Sequence, residues 1–281
     1  MESGYSEFEF KQFKDDMRLA GFSKNTIESY IYYNLKFLNE IKRSPREIKS
    51  TDIKGYLLNL IDKGQQPRTI NLVHSALKHY YDAFMGRKLF YNIRRTKINK
   101  LIPTVLSKDE IKSMIESCNM LKHKLLISLM YATGLRVSEC IKLKMEDISL
   151  DNEIGIVRCG KGNKDRYFTI SNRLREQLVA YLELRKDSNP YLFNTNKGHI
   201  TVRTAQKVVK NASAKAKIKI RTFCHALRSS LATHLKDNGT DIMDIQNVLG
   251  HANINTTRNY IKSSPSMLKN INNPYDSNNF S

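Results

Sequence analysis

The chain has 281 residues, 40% of them hydrophobic, enough for two domains with cores of ordinary size. No run reaches the roughly 18 apolar residues needed to cross a bilayer, the start "MESGYSEFEFKQ" lacks a signal peptide's basic region and apolar stretch, and the four cysteines form no CxxC pair, so a cytoplasmic, reduced protein without structural zinc is expected rather than a membrane, secreted or disulfide-scaffolded one. Lys and Arg outnumber Asp and Glu by 47 to 27, a formal +20, and a field of that size points to a polyanionic partner, nucleic acid ahead of an anionic membrane surface, with a generally lysine-rich composition as the competing explanation.

Taken in chain order, residues 1–86 read as four helices that form one compact bundle. Phe10, Phe13 and Met17 share the face of the first, which stops at Gly21. Ser23 can cap the second, where Ile27, Tyr30, Ile31, Leu38 and Ile41 recur at helical spacing. Ser50 or Thr51 opens the third, with Ile53, Tyr56, Leu57, Leu60 and Ile61 on one stripe and Gly64 at its end. Pro67 suits the first turn of the fourth, whose stripe is Ile70, Val73, Leu77, Tyr80, Tyr81 and Phe84, with Gly86 after it. Next comes "RKLFYNIRRTKINK", from Arg87 to Lys100, with six basic residues and no acid. Residues 87–103 read as an interdomain strap laid along phosphates, with Arg94, Arg95 and Lys97 as candidate DNA contacts.

A second domain is expected over residues 104–281. "SKDE" places Ser107 and Glu110 at capping-box spacing, and the helical pattern runs on through "KLLISLMYATG". The period then changes, and "EIGIVRCGKGNKDRYFTI" reads as strand, Gly-rich turn, strand. Helices return at "REQLVAYLELRK", "TVRTAQKVVKNASAKAK", "FCHALRSSLATHLKDNG" and "DIMDIQNVLG". The fold class is mainly α with a small antiparallel β-sheet.

Four short stretches hold polar residues that core formation does not explain. In "YATGLRVSEC", Arg136 follows the helix-ending Gly134 and stands three before Glu139, a pattern a surface Arg–Glu pair also produces. In "CGKGNKDR", Lys161 sits between Gly160 and Gly162 at a hairpin tip, where a solvated lysine is ordinary and the spacing of a P-loop is lacking. In "FCHALRSS", His225 and Arg228 are three apart and face one side of a helix. In "LGHANINTTRNYIK", His251 and Tyr260 lie nine apart in a polar setting with no apolar run to bury the ring, although Tyr260 could simply cap a small helix face beside Ile261.

The order of these residues is more informative than any one of them. Arg, Lys, His-x-x-Arg, His and then Tyr resembles the tyrosine recombinase family of phage-integrase type. "ATGLRVSE", "GKGNKDR", "HALRSSLATHL" and "LGHANINTTRNYI" align without gaps to its boxes, with 23 residues from Arg228 to His251 and nine more to Tyr260. "SKNTIESYIYYNLKFL" and "TINLVHSALKHYYDAF" are similar to the family's helical core-binding domain, so the resemblance covers nearly the whole chain. The compact Xer branch, and its archaeal members in particular, look most alike. Ser229 stands where many members carry a second histidine.

The resemblance implies a site-specific recombinase that cuts and rejoins double-stranded DNA as a homotetramer on two duplexes, through a 3′-phosphotyrosine. It implies Tyr260 as nucleophile and His225 as base, Arg136 and Arg228 on the non-bridging oxygens, His251 as a further hydrogen bond to the phosphate, and Lys161 as general acid. Glu139 is expected to orient Arg228 or His225. No metal or cofactor is expected, because two arginines stand in for the cation and the sequence holds no carboxylate cluster. The chemistry fits these residue types. A tyrosine titrates near pH 10, so ionising it at pH 7 costs roughly 4 kcal/mol, which nearby positive charge and a base must offset. The implied role is Xer-like resolution of chromosome or plasmid multimers, with the integrase of a mobile element, a type IB topoisomerase and a non-catalytic DNA-binding homologue as alternatives. Beyond Tyr260, Ser264 and Pro265 read as the start of a two-turn helix with Met267, Leu268 and Ile271 on one stripe. In the family such an element docks on a neighbouring protomer, while a tail folded back on its own domain is the other reading.

Overall fold

The computed structural model describes residues 10–98, 104–158, 165–250 and 275. The chain divides into two units, residues 1–101 and 102–281. Among the described residues no helix is long and apolar enough to cross a membrane.

The first unit is helical, with α1 (Lys11–Leu19), α2 (Lys24–Ile41), α3 (Ser50–Asp62) and α4 (Pro67–Lys78), the last running on into a wider π-helical turn over His79–Phe84. The expected caps explain the boundaries. The Ser23 side chain accepts from the Thr26 amide at the start of α2, and Pro67 occupies the first turn of α4. At α3 the cap differs: Lys49 is the boundary residue, and its amide donates to the Asp52 carboxylate at 2.8 Å. The apolar stripes form the core. Phe10, Phe13, Met17, Ile31, Leu38, Ile53, Val73, Leu77 and Tyr81 are all nearly inaccessible. Ile61, expected on the α3 stripe, is instead 45% exposed, because Leu57 and Leu60 already close that side of the core. Asn34 and His74 are buried polar side chains of this unit. The Asn34 amide donates to the Tyr30 and Ala76 carbonyls at 2.8 and 3.1 Å and so ties α2 to α4.

Residues 87–98 of the expected strap are bonded into this unit. Phe90 is buried in its core, and the Arg87 guanidinium donates to the Pro45 carbonyl at 2.8 Å. Asn71 of α4 exchanges two hydrogen bonds with the Thr96 main chain, at 2.8 and 2.9 Å, and the His74 Nε2 meets the Ile93 carbonyl at 3.0 Å. Apolar Phe90 and Ile93, set among the basic residues, supply the driving force for this attachment.

The second unit is built around α6 (Leu121–Thr133), buried on every side from Leu125 onward. It lies against α5 (Lys108–Glu116), α7 (Val137–Cys140), α8 (Asn172–Glu183), α9 (Val202–Lys215) and α10 (Cys224–Asp237), and α11 (Ile242–Leu249) in turn lies on α10. α5 opens with a reciprocal capping box: the Glu110 amide donates to Ser107 Oγ at 3.1 Å, and the Ser107 amide donates to Glu110 Oε2 at 2.8 Å. The expected hairpin is present as β2 (Ile154–Val157) and β3 (Arg166–Thr169), antiparallel with Val157 opposite Arg166; β1 (Ile148–Ser149) adds a third strand, and β4 (Asn194–Thr195) with β5 (Gly198–His199) forms a separate small ribbon. The tail helix expected from Ser264 lies outside the described residues. Tyr275 beyond it is buried in the core of the second unit, where its hydroxyl donates to Ser128 Oγ at 2.5 Å and accepts from Gln177 Nε2 at 2.6 Å.

Candidate active site

The site begins at a helix end. Gly134 closes α6 in the left-handed region, at φ +62°, and a Cβ there would meet the Leu249 and Leu231 side chains at 2.6 and 3.0 Å. Only glycine lets the chain turn this tightly against α10 and α11. The turn delivers Arg136 to the start of α7, where helix geometry puts Glu139 one turn ahead of it. The Arg136 amide donates to Glu139 Oε2 at 2.8 Å, and its guanidinium donates to Oε1, also at 2.8 Å. The same guanidinium reaches the Gly250 carbonyl at 3.4 Å.

Arg228 comes from α10. It is only 3% exposed, and its two terminal nitrogens donate to the Gly134 and Leu249 carbonyls, each at 2.5 Å. These carbonyls lie at the C-terminal ends of α6 and α11, where helices leave acceptors unsatisfied and carry partial negative charge. One buried guanidinium therefore caps two helices and fixes where they meet.

A third arginine completes the cluster. Arg166, at the head of β3, donates to Glu139 Oε2 at 2.8 Å and lies against Gly250, where an added Cβ would meet its Cδ at 2.4 Å and its Nε at 2.6 Å. Gly250, the left-handed cap of α11, leaves the space that this side chain fills. Two guanidiniums thus bond one carboxylate, with the charge of Arg228 nearby. Burial alone pushes the Glu139 carboxyl up, but the hydrogen bond and charge of Arg166, then the bonds from Arg136, outweigh it and hold the pKa below the ordinary carboxylate value. The uncompensated charge shows at Arg228: burial first, then the like charges of Arg136 and Arg166, pull its pKa down to about 10, against the opposing pull of Glu139. The guanidinium remains charged at neutral pH, in a site with more positive charge than its own carboxylate neutralises.

His225 shares the α10 face with Arg228 and is exposed. Partial burial, then the charges of Arg228 and Arg136, lower its pKa, so its ring is neutral at pH 7 and can accept a proton.

The structure brings Arg136, Glu139, Arg228 and His225 into one electrostatic neighbourhood. Glu139, expected to orient Arg228 or His225, spends both oxygens on Arg136 and Arg166, while Arg228 is held by main-chain carbonyls. Lys161, His251 and Tyr260 lie outside the described residues; Lys161 falls between the ends of β2 and β3, and His251 directly follows Gly250. Arg94, Arg95 and Lys97 belong to the other unit and are exposed, with Arg95 donating to Ser75 Oγ at 3.0 Å. Arg166 was missed by sequence reasoning. Its signal was the strand alternation, since Arg166 shares a β3 face with the buried Phe168 and an arginine on that face requires a partner.

Residues 104–267 match the phage integrase family, and residues 10–90 match the phage integrase N-terminal SAM-like domain. The tyrosine recombinase XerA of Pyrococcus horikoshii is 38% identical to this chain over 263 residues, covering 92% of this chain and 90% of that protein. The tyrosine recombinase XerD of Oceanobacillus iheyensis is 30% identical over 289 residues, covering 94% and 97% respectively. Among solved structures, the XerH site-specific recombinase bound to its difH substrate in a pre-cleavage complex is similar with a TM-score of 0.68 and 26% identity, over 90% of this chain and 81% of that one. With both domains matched and identity at this level along nearly the whole length, the chain belongs to the phage integrase family and is a site-specific recombinase of the Xer tyrosine recombinase type.

Proposed function

We propose that this recombinase cuts and rejoins double-stranded DNA through a covalent 3′-phosphotyrosyl intermediate, with Tyr260 as the nucleophile. The observation that carries the reading is the excess of guanidinium over carboxylate charge around Arg228, Arg136 and Arg166, beside a histidine whose pKa is lowered. Such a site suits an anion whose charge grows during reaction. In an in-line displacement at phosphorus the non-bridging oxygens gain negative charge, and Arg136 and Arg228 stabilise it with parallel charge-assisted donors. His225 takes the phenol proton as Tyr260 attacks. Lys161 gives a proton to the departing 5′-oxygen, and His251 adds a hydrogen bond to the phosphate. Rejoining runs the same steps in reverse, so the energy of the broken ester is kept in the tyrosyl bond.

In this reading the protein works in the cytoplasm as a homotetramer on two duplexes and resolves chromosome or plasmid multimers. A related solved structure supports a DNA substrate: the XerH recombinase is bound to difH. The first unit is the helical DNA-binding domain and carries the basic segment, whose Arg94, Arg95 and Lys97 contact phosphates, and the second unit is the catalytic domain.

The test is Tyr260→Phe on a nicked suicide duplex, prepared from sites selected out of random-sequence DNA. Binding is expected to persist while the SDS-resistant adduct disappears. An adduct at wild-type yield would remove Tyr260 from the nucleophile's role.

A further inference from the structure

We propose that Arg166 is a positioning residue of this site, the tie that holds the β2–β3 hairpin, the Arg136–Glu139 pair and the end of α11 in one arrangement. The inference rests on the recombinase reading of the arginine cluster and assigns a role to a residue outside the six to which catalysis is attributed.

Three observations carry it. First, Glu139 Oε2 is shared: it accepts the Arg136 amide and the Arg166 guanidinium, each at 2.8 Å. Without Arg166 the carboxylate would keep one guanidinium partner in a nearly buried position, where its side chain is only 8% exposed. It would then be free to rotate about its bond to Arg136, or to take up a proton. Second, Arg166 lies against Gly250 so closely that no Cβ could stand between them. Gly250 immediately precedes His251, and its carbonyl accepts from Arg136. The Arg166 side chain therefore reaches both ends of the same small network. Third, Arg166 opens β3 opposite Val157 of β2, and Lys161 lies in the sequence between these two strand ends. A shift of this arginine is a shift of the strand end that follows Lys161.

Arg166 is best placed to act through Arg136, Glu139 and the Gly250–His251 step, not on the phosphate directly.

The experiment is single-turnover cleavage of the nicked duplex by the full-length protein, together with DNA affinity and thermal melting. Arg166→Gln is expected to slow cleavage by about 10–100-fold with DNA affinity within a few-fold of wild type, because small misplacements of a catalytic group carry losses of that order. Arg166→Lys, which keeps the charge opposite Glu139, should recover part of the loss. In a double-mutant cycle Arg166→Gln and Glu139→Gln should be strongly non-additive, with the double variant close to the worse single one. Wild-type cleavage in Arg166→Gln, additive losses, or a loss that follows melting temperature across the variants would overturn the proposal. Should the wild-type protein form no adduct at all, the recombinase reading fails first. Side-chain nitrogen relaxation of the Arg136 guanidinium still decides the positioning role: mobilisation in Arg166→Gln supports it, and unchanged rigidity refutes it.

Discussion

Phe37 in the helical unit and Arg228 in the catalytic unit are both almost wholly removed from solvent, for opposite reasons. Phe37 meets the edges of Tyr56 and Tyr81, with ring centroids 5.1 and 6.1 Å away, and its burial is driven by the removal of apolar surface from water. Arg228 is buried against two carbonyls with like charges beside it, an arrangement that lowers its pKa. The first region is stable because of its composition. The second is tolerated because α6, α10 and α11 hold it, and what it gains is a fixed array of donors before any ligand arrives. In such a site the organisation cost is met during folding and not at the moment of reaction.

This contrast can be broken from either side. Phe37→Ala should destabilise the helical unit by about 3–5 kcal/mol, read from chemical denaturation, while cleavage per folded molecule stays near wild type. A large loss of cleavage in the folded fraction would mean that the two regions are not separable. Arg136→Ala should slow cleavage by about 10²–10³-fold with a far smaller change in DNA affinity, since its contribution grows in the transition state. Equal losses in binding and cleavage would make it an ordinary phosphate contact. Arg228→Ala should show the same kinetic split and, in addition, loosen the junction of α6 and α11, visible as faster amide exchange at their C-terminal turns.

The pH dependence gives a smaller effect of defined sign. The His225 pKa is lowered, so the ring is neutral and able to accept a proton above that pKa and loses this capacity as pH falls through it. Cleavage should therefore rise with pH along a limb whose midpoint lies below 6.5 and level off above it; in His225→Gln the residual activity should lack that limb. A limb centred above 6.5, or one that survives the substitution, would assign the proton transfer elsewhere. The smallest effect is expected from the basic segment. Neutralising Arg94, Arg95 and Lys97 together should reduce the slope of log affinity against log salt by up to about 3, as each lost phosphate contact removes roughly 0.9. An unchanged slope would show that these exposed side chains do not touch the backbone.

The two regions also differ in how far they could be read from the sequence. Apolar periodicity carries the helical unit almost residue by residue, from Phe13 and Met17 to Leu77 and Tyr81, because burial of a stripe is a local consequence of helix geometry. It fails at Ile61, where saturation of the core by neighbouring leucines decides the outcome. It fails again at Phe90, whose tertiary attachment is hidden inside a basic run. The candidate site was legible as an ordered set of polar residues, since the spacing of Arg136 to Glu139 and of His225 to Arg228 follows from one helical turn. What remained hidden was pairing between elements distant in sequence. Nothing local indicates that Glu139 faces Arg166 across 27 positions, or that Arg228 bonds the carbonyl of Gly134, 94 positions away.

The proposed reaction exchanges a phosphodiester for a tyrosyl ester at position 260. The most direct measurement is to trap wild-type protein on a nicked suicide duplex, digest the covalent complex with protease and locate the attached nucleotide by mass spectrometry, with end-labelling of the released strand. The expected product is a single nucleotidyl peptide modified at Tyr260, joined through a 3′-phosphate, with a free 5′-hydroxyl on the released strand. A nucleotide joined to any other residue, or a linkage through a 5′-phosphate, would contradict it.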